Sequence, residues 1–165
     1  YDSFGGYKVG VLNLMGNVFM KKSDDVFLKT KEFLDKNMLK KMYDFLVVDF
    51  HGEITSEKMA IGHVFDGNAT FVVGTHTHVP TNDGRVLSKG TAYLTDAGMC
   101  GDYNSVIGMN ANNSINRFYK RDSIKHFPAE GEASLCGAIV EANPKNGLAL
   151  NISQFIFGGQ LQKKF

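Results

Sequence analysis

Three short apolar runs constrain this chain most, because stretches with helical spacing separate them and each stops at residues with chemistry. Tyr7 to Met15, Asp44 to Phe50 and Ala69 to Val73 are rich in Val, Leu and Phe and read as buried strands. Between the first two, Val26 to about Met42 carries Phe27, Leu28, Phe33, Leu34, Met38 and Leu39 at near-helical spacing, with lysines elsewhere. Asp24 or Asp25 is the expected N-cap, and the stripe is expected to pack. Between the second and third, Ser56 or Thr55 is expected to cap a helix running to about Phe65. Glu57 suits its positive end, and Met59, Ala60, His63 and Val64 face the sheet. Strands alternating with helices predict an α/β fold.

The remaining residues add β elements. Ala92 to Thr95 is a further short strand, and the Asn82-Asp83-Gly84 turn before Arg85 predicts a β-excursion or hairpin. Gly101 to Asn110 reads as a loop, and Ser114 to about Arg121 as a short helix with Ile115, Phe118 and Tyr119 on one side. Ala133 to Glu141 and Leu148 to Phe157 flank Asn143-Pro144-Lys145-Asn146-Gly147, which predicts an antiparallel hairpin before the polar end Gln160 to Phe165. No repeat or linker divides the chain, so residues 1–165 read as a single domain.

The strand exits carry the chemistry. Phe50 leads into His51, Val73 into Gly74-Thr75-His76-Thr77-His78, and Thr95 into Asp96. In extended chain, residues i and i+2 share a face, with Cβ atoms roughly 6–7 Å apart. Such a pair can serve adjacent metals, which sit about 3.5–4 Å apart in two-metal hydrolases. Parallel strands end on one edge, where ligands bind in open α/β sheets, so His51, His76 and His78 are expected to converge there. Three imidazoles suit Zn, Fe, Mn or Co better than Mg or Ca. An open site would activate bound water and polarise a phosphoryl or carbonyl oxygen. A His-Thr-His in a surface loop can also be inert, so the pair alone does not decide the matter. Asp49 is read as an N–H or salt-bridge partner at a strand end, and Glu53 as a ligand or as a group orienting a histidine. His63 is expected to be structural or exposed. Cys100 and Cys136, far apart, read as two free, buried thiols. Nothing resembles a serine or cysteine triad or a phosphate-cradling glycine loop.

Charge narrows the partners. The net charge is +1, without a basic block or acidic tail, which gives no support to nucleic-acid or membrane-surface binding. No apolar run approaches the ~20 residues of a membrane helix. Tyr1 to Gly6 is polar and glycine-rich, unlike a signal peptide, so a cytoplasmic location is expected. The chain opens on Tyr1, close to its first strand, as a piece of a longer protein would.

Four ordered blocks carry a resemblance. They are Val47-Val48-Asp49-Phe50-His51-Gly52-Glu53-Ile54-Thr55-Ser56-Glu57-Lys58; Val72-Val73-Gly74-Thr75-His76-Thr77-His78-Val79; Gly90-Thr91-Ala92-Tyr93-Leu94-Thr95-Asp96-Ala97-Gly98-Met99; and Tyr103-Asn104-Ser105-Val106-Ile107-Gly108-Met109. With Asn13-Leu14-Met15-Gly16 and Val18-Phe19-Met20, they resemble the YmdB-like metallophosphoesterases of the calcineurin-like phosphoesterase superfamily. The resemblance implies a four-layer αββα sandwich, a dinuclear centre of iron and/or manganese, and hydrolysis of phosphodiesters of the 2′,3′-cyclic nucleotide type by in-line attack at phosphorus. It implies that His51 and His76 serve one metal and His78 the other.

The superfamily blocks that supply an aspartate, the bridging acidic residue and an Asn-His pair have no counterpart here. The general acid is therefore expected in a missing N-terminal segment, and this chain is expected to be the C-terminal portion of the domain, lacking the N-terminal strands. By itself it is expected to bind metal weakly, to be inactive, and to leave one sheet edge and one hydrophobic face uncovered. A homo-oligomer is compatible with the family. The competing readings are a mononuclear metal hydrolase using Asp49, His51, His76 and His78, and a regulatory or scaffold protein with a degenerate phosphoesterase fold.

Overall fold

The computed structural model describes residues 1–2, 5–21, 23–119 and 125–162. Strands β1 (Val9–Met15), β2 (Phe45–His51) and β3 (Phe71–Thr75) are joined by helices α1 (Val26–Lys36) and α2 (Thr55–Phe65). Two short strands follow, β4 (Arg85–Val86) and β5 (Ala92–Leu94). The first sheet has the order β1-β2-β3-β5-β4, parallel throughout except for β4, which pairs antiparallel with β5. Beyond it come β6 (Gly101–Asp102), α3 (Ala111–Phe118), β7 (Ala133–Ala142) and β8 (Ala149–Phe157), and a second, antiparallel sheet has the order β6-β7-β8. The α/β class, the parallel strands and the C-terminal hairpin are as expected from the sequence. Among the described residues no helix is long and apolar enough to cross a membrane.

Two successive crossovers in one direction place both helices on one face of the first sheet. That face is the core: Leu46, Val48, Phe50 and Val72 pack with Val26 of α1 and with Ile61 and Phe65 of α2. The opposite face is more open, with Val11 57% exposed and Met15 39% exposed. The second sheet lies against the far end of the first, β8 against β4 and β5. The hairpin tip docks through Thr70 Oγ1, which donates to the Gly147 carbonyl at 2.6 Å. Gly147 has φ of 76°, and a Cβ there would stand 2.4 Å from the Asp44 carbonyl oxygen, so this contact requires glycine.

Several expectations are corrected. Helix α1 ends at Lys36, six residues short of Met42, because Asn37 is extended and its side chain bonds the Phe33 carbonyl. Asp25 is the N-cap, accepting from Phe27 and Leu28 amides. Phe27 and Leu28 are largely exposed, whereas Phe33, Leu34 and Leu39 pack on the core. Helix α2 has no side-chain cap; Ile54 precedes it, Thr55 is already helical, and Val64 points outward. Helix α3 starts at Ala111, capped by Asn110, and turns Ile115 and Phe118 outward. It buries Asn113 and Ser114 instead, because Asn113 Nδ2 bonds the Lys125 carbonyl and Ser114 Oγ bonds His126. The expected end of that helix at Arg121, like the last residues of the polar tail, lies outside the described residues. Both cysteines are free, but Cys100 is exposed in its glycine-flanked loop.

The strand exits are held by a buried ion pair. Lys58 of α2 and Asp96, just beyond β5, have side chains that are each 1% exposed, and they meet at 2.8 Å. The same Asp96 oxygen accepts from the Thr77 amide at 3.0 Å, and the other oxygen from the Gly98 amide at 2.9 Å. Burial alone pushes this carboxyl up. The Lys58 hydrogen bond and the Thr77 and Gly98 amides outweigh that, and hold it below the usual carboxylate range. Gly74 makes room for this join, since a Cβ there would lie 1.7 Å from the Thr95 carbonyl oxygen.

Replacing Lys58 with Met strands a buried carboxylate and is expected to destabilise the protein by about 3–5 kcal/mol. Urea denaturation checks it; a loss within experimental error of zero contradicts the pairing. A carboxyl with a lowered folded pKa contributes stability that is full above its unfolded value and is lost as pH falls through the folded one. Stability should therefore fall below about pH 4. Asp96→Asn should flatten that slope without abolishing it, because Asp83 is also held low by Thr95, Thr81 and Arg85 against its own burial. Denaturation midpoints between about pH 6 and 3 are the measurement.

Candidate functional site

The parallel register places Met15, His51 and Thr75 side by side at the C-terminal edge of the first sheet. Alternation puts Asn13, Asp49, His51 and Thr75 on the open face, away from α1 and α2. A continuous chain of polar contacts results. Asn13 Nδ2 donates to Asp49 Oδ2 at 2.8 Å, and Thr75 Oγ1 donates to Asp49 Oδ1 at 3.1 Å. Thr75 Oγ1 lies 3.1 Å from His51 Nδ1, and His51 Nε2 lies 3.0 Å from His76 Nδ1. His76 Nε2 in turn lies 2.7 Å from Glu53 Oε2. The two rings meet edge to face, with centroids 4.8 Å apart.

Proton counting gives each contact a direction. The Thr75 hydroxyl hydrogen goes to Asp49, so Thr75 accepts from His51 Nδ1–H. The His51 Nε2 lone pair then faces His76 Nδ1, which must donate. Glu53 also accepts, so His76 stands between two acceptors. A nitrogen of His51 and the carboxylate of Glu53 thus flank the His76 ring.

His78 is held differently. Its Nδ1 lies 2.8 Å from the Ile107 carbonyl, which can only accept, so Nε2 carries the lone pair. Ligand histidines are commonly oriented by such a bond. The structure therefore brings His51, His76 and Glu53 together, with His78 nearby in sequence but tied to the 107 loop. His76 and His78 both have positive φ, 112° and 64°, so the backbone is not the regular extended chain that the i, i+2 argument assumes.

Imidazole nitrogens and a carboxylate are the donor types that suit iron, manganese or zinc. In kind, then, the residues fit a transition-metal ion. In number they fall short, because among the described residues no group of three or more His, Cys, Asp or Glu side chains is arranged to hold one. Asp49 is engaged by Asn13 and Thr75, and Asp96 is buried against Lys58. His63 is exposed on α2, away from this edge.

Sequence reasoning missed Thr75, Lys58 and Ile107. Nothing marks Lys58 as buried, since one lysine on a helix reads as solvated. Ile107 acts through its carbonyl, which carries no residue-type signal. Thr75 could have been found, because it sits at the strand end on the same face as the histidine beside it.

The chain is 40% identical over 156 residues to a 2′,3′-cyclic-nucleotide 2′-phosphodiesterase of Bacillus subtilis (strain 168), an overlap covering 94% of this chain and 58% of that protein. It superimposes on the crystal structure of a hypothetical protein from Thermus thermophilus with a TM-score of 0.85 at 36% identity, covering 96% of this chain and 60% of the other. A phosphatase structure from Mycoplasma pneumoniae gives a TM-score of 0.82 at 35% identity, covering 96% and 54%. The chain thus spans just over half the length of the proteins it matches. One family, described as YmdB-like protein, matches residues 1–155, and with the shared fold and identity this places the chain in the YmdB-like protein family.

Proposed function

We propose that this chain forms the C-terminal portion of the domain of a cytoplasmic, metal-dependent phosphodiesterase that opens 2′,3′-cyclic nucleotides through a dinuclear iron or manganese centre. The observation that carries the reading is the His51–His76–Glu53 cluster at the C-terminal edge of a parallel sheet, in a chain 40% identical to a protein of that activity. His51, His76 and His78 would hold the metals. The remaining donors and the general acid would come from outside these 165 residues. The incomplete donor set, the exposed Val11 and Met15 on the open face, and the greater length of the relatives support that assignment. The same segment would add strands and the fourth layer of the αββα sandwich.

When bound, the ions would supply an activated water and neutralise charge developing on the phosphoryl oxygens. This chain's own residues set up the site. Thr75 and Asp49 keep the proton of His51 on Nδ1, leaving Nε2 available. The Ile107 carbonyl does the same for His78. Glu53 orients the His76 ring through Nε2.

The test uses the full-length protein and the 165-residue chain side by side. About two metals per full-length chain, and turnover of a nucleoside 2′,3′-cyclic phosphate to the 3′-phosphate, are the expected results. The short chain should retain little metal and show no turnover. One metal per full-length chain would favour a mononuclear hydrolase, and none, without turnover, a binding or scaffold role. Glu53→Gln in the full-length protein is expected to lower metal affinity or activity about 10–100-fold, and metal titration with activity assays checks it.

A further inference from the structure

Beside His78 the chain forms a cavity of about 300 Å³ lined by Val106, Ile107, Ser114, Arg117, Phe118 and His126. Small-molecule sites run from about 300 to 1,000 Å³, so this one has room for a single ring system. Its polar part is built. Ser114 is 4% exposed, and its Oγ lies 3.2 Å from His126 Nε2. Arg117 Nη1 lies 2.9 Å from His126 Nδ1. A guanidinium only donates, so Nδ1 accepts, Nε2 carries the hydrogen, and the Ser114 hydroxyl receives it. The imidazole therefore does not act as a base toward Ser114, and the trio is not a nucleophilic dyad. It fixes Arg117 at the cavity, with one of its donors on His126. The other walls are apolar, and Phe118 is 83% exposed.

We propose that this cavity is the nucleobase subsite, an inference that rests on the phosphodiesterase reading above. Ile107 is the link, because its carbonyl holds His78 at 2.8 Å while the residue lines the cavity. A phosphate held at the histidine edge would leave the nucleoside end of a substrate to reach the adjacent cavity. A flat ring gains from Phe118, on whose exposed face it stacks. Arg117 then meets the ring edge and needs acceptors there. Guanine presents two, O6 and N7, to one guanidinium, whereas adenine presents N7 beside a donor, so the subsite favours guanine.

The test is nucleoside binding to the metal-stripped full-length protein, which needs neither metal nor turnover. Guanosine and adenosine are the probes, followed by NMR titration of the His126 ring protons. Saturable guanosine binding, tighter than adenosine by about fivefold or more, is expected. Phe118→Ala should weaken both nucleosides about fivefold or more. Arg117→Met should erase the preference between them. Both side chains are exposed, so the fold is not at risk. Absence of guanosine binding, or binding that Phe118→Ala leaves unchanged, overturns the subsite whether or not the protein hydrolyses phosphodiesters. Binding lost in Phe118→Ala, in a protein without any turnover, supports the subsite and overturns the reading of the reaction.

Discussion

The Lys58–Asp96 pair is the interaction on which the strand exits depend. Two opposite charges buried together are tolerated only when their remaining hydrogen-bonding capacity is satisfied. Asp96 meets that condition by accepting from the Thr77 and Gly98 amides, so desolvating the carboxylate and shaping the loops become one event. The pair joins α2 to the segments that leave β3 and β5. Gly74 allows these to approach within a distance no side chain would permit. His76 and His78 sit on the segment so anchored, both with positive φ.

On the open face, the polar side chains are ordered by a chain of hydrogen bonds and one ring contact. Asn13, Asp49, Thr75, His51, His76 and Glu53 are linked in series by polar contacts, and the parallel register supplies the spacing. The open face thus presents one imidazole nitrogen and one carboxylate toward His76. Among the described residues no group of three or more His, Cys, Asp or Glu side chains is arranged to hold an ion there.

Residues 106–118, with His126, place a cavity beside that edge. Ile107 has φ of 49°, unusual for a β-branched residue. That backbone lies where one residue both bonds His78 and lines the cavity in front of α3. Helix α3 reverses the ordinary logic of an amphipathic helix, burying Asn113 and Ser114 and exposing Ile115 and Phe118. A polar inner face fits a helix that holds side chains in place more than it fills a core.

The sequence by itself determined the α/β class, the parallel strands and the hairpin. Short apolar runs, helical periodicity and turn residues are local signals, and each element answers to its own stretch of chain. It also determined which residue types stand at the strand exits, and the quoted blocks identified the family that the comparisons then matched. Tertiary structure alone decided the rest. The end of α1 at Lys36 depends on an Asn37 contact, and β6 exists only because residues 101–102 meet residues 133–134. The burial of Lys58 depends on Asp96, 38 residues away. The pairing of His51 with His76, and of His78 with a backbone carbonyl, turns on loop dihedrals that no residue pattern encodes. Local chemistry is written one residue at a time, but burial and hydrogen-bond direction are properties of pairs, and pairs distant in sequence exist only once the chain is folded.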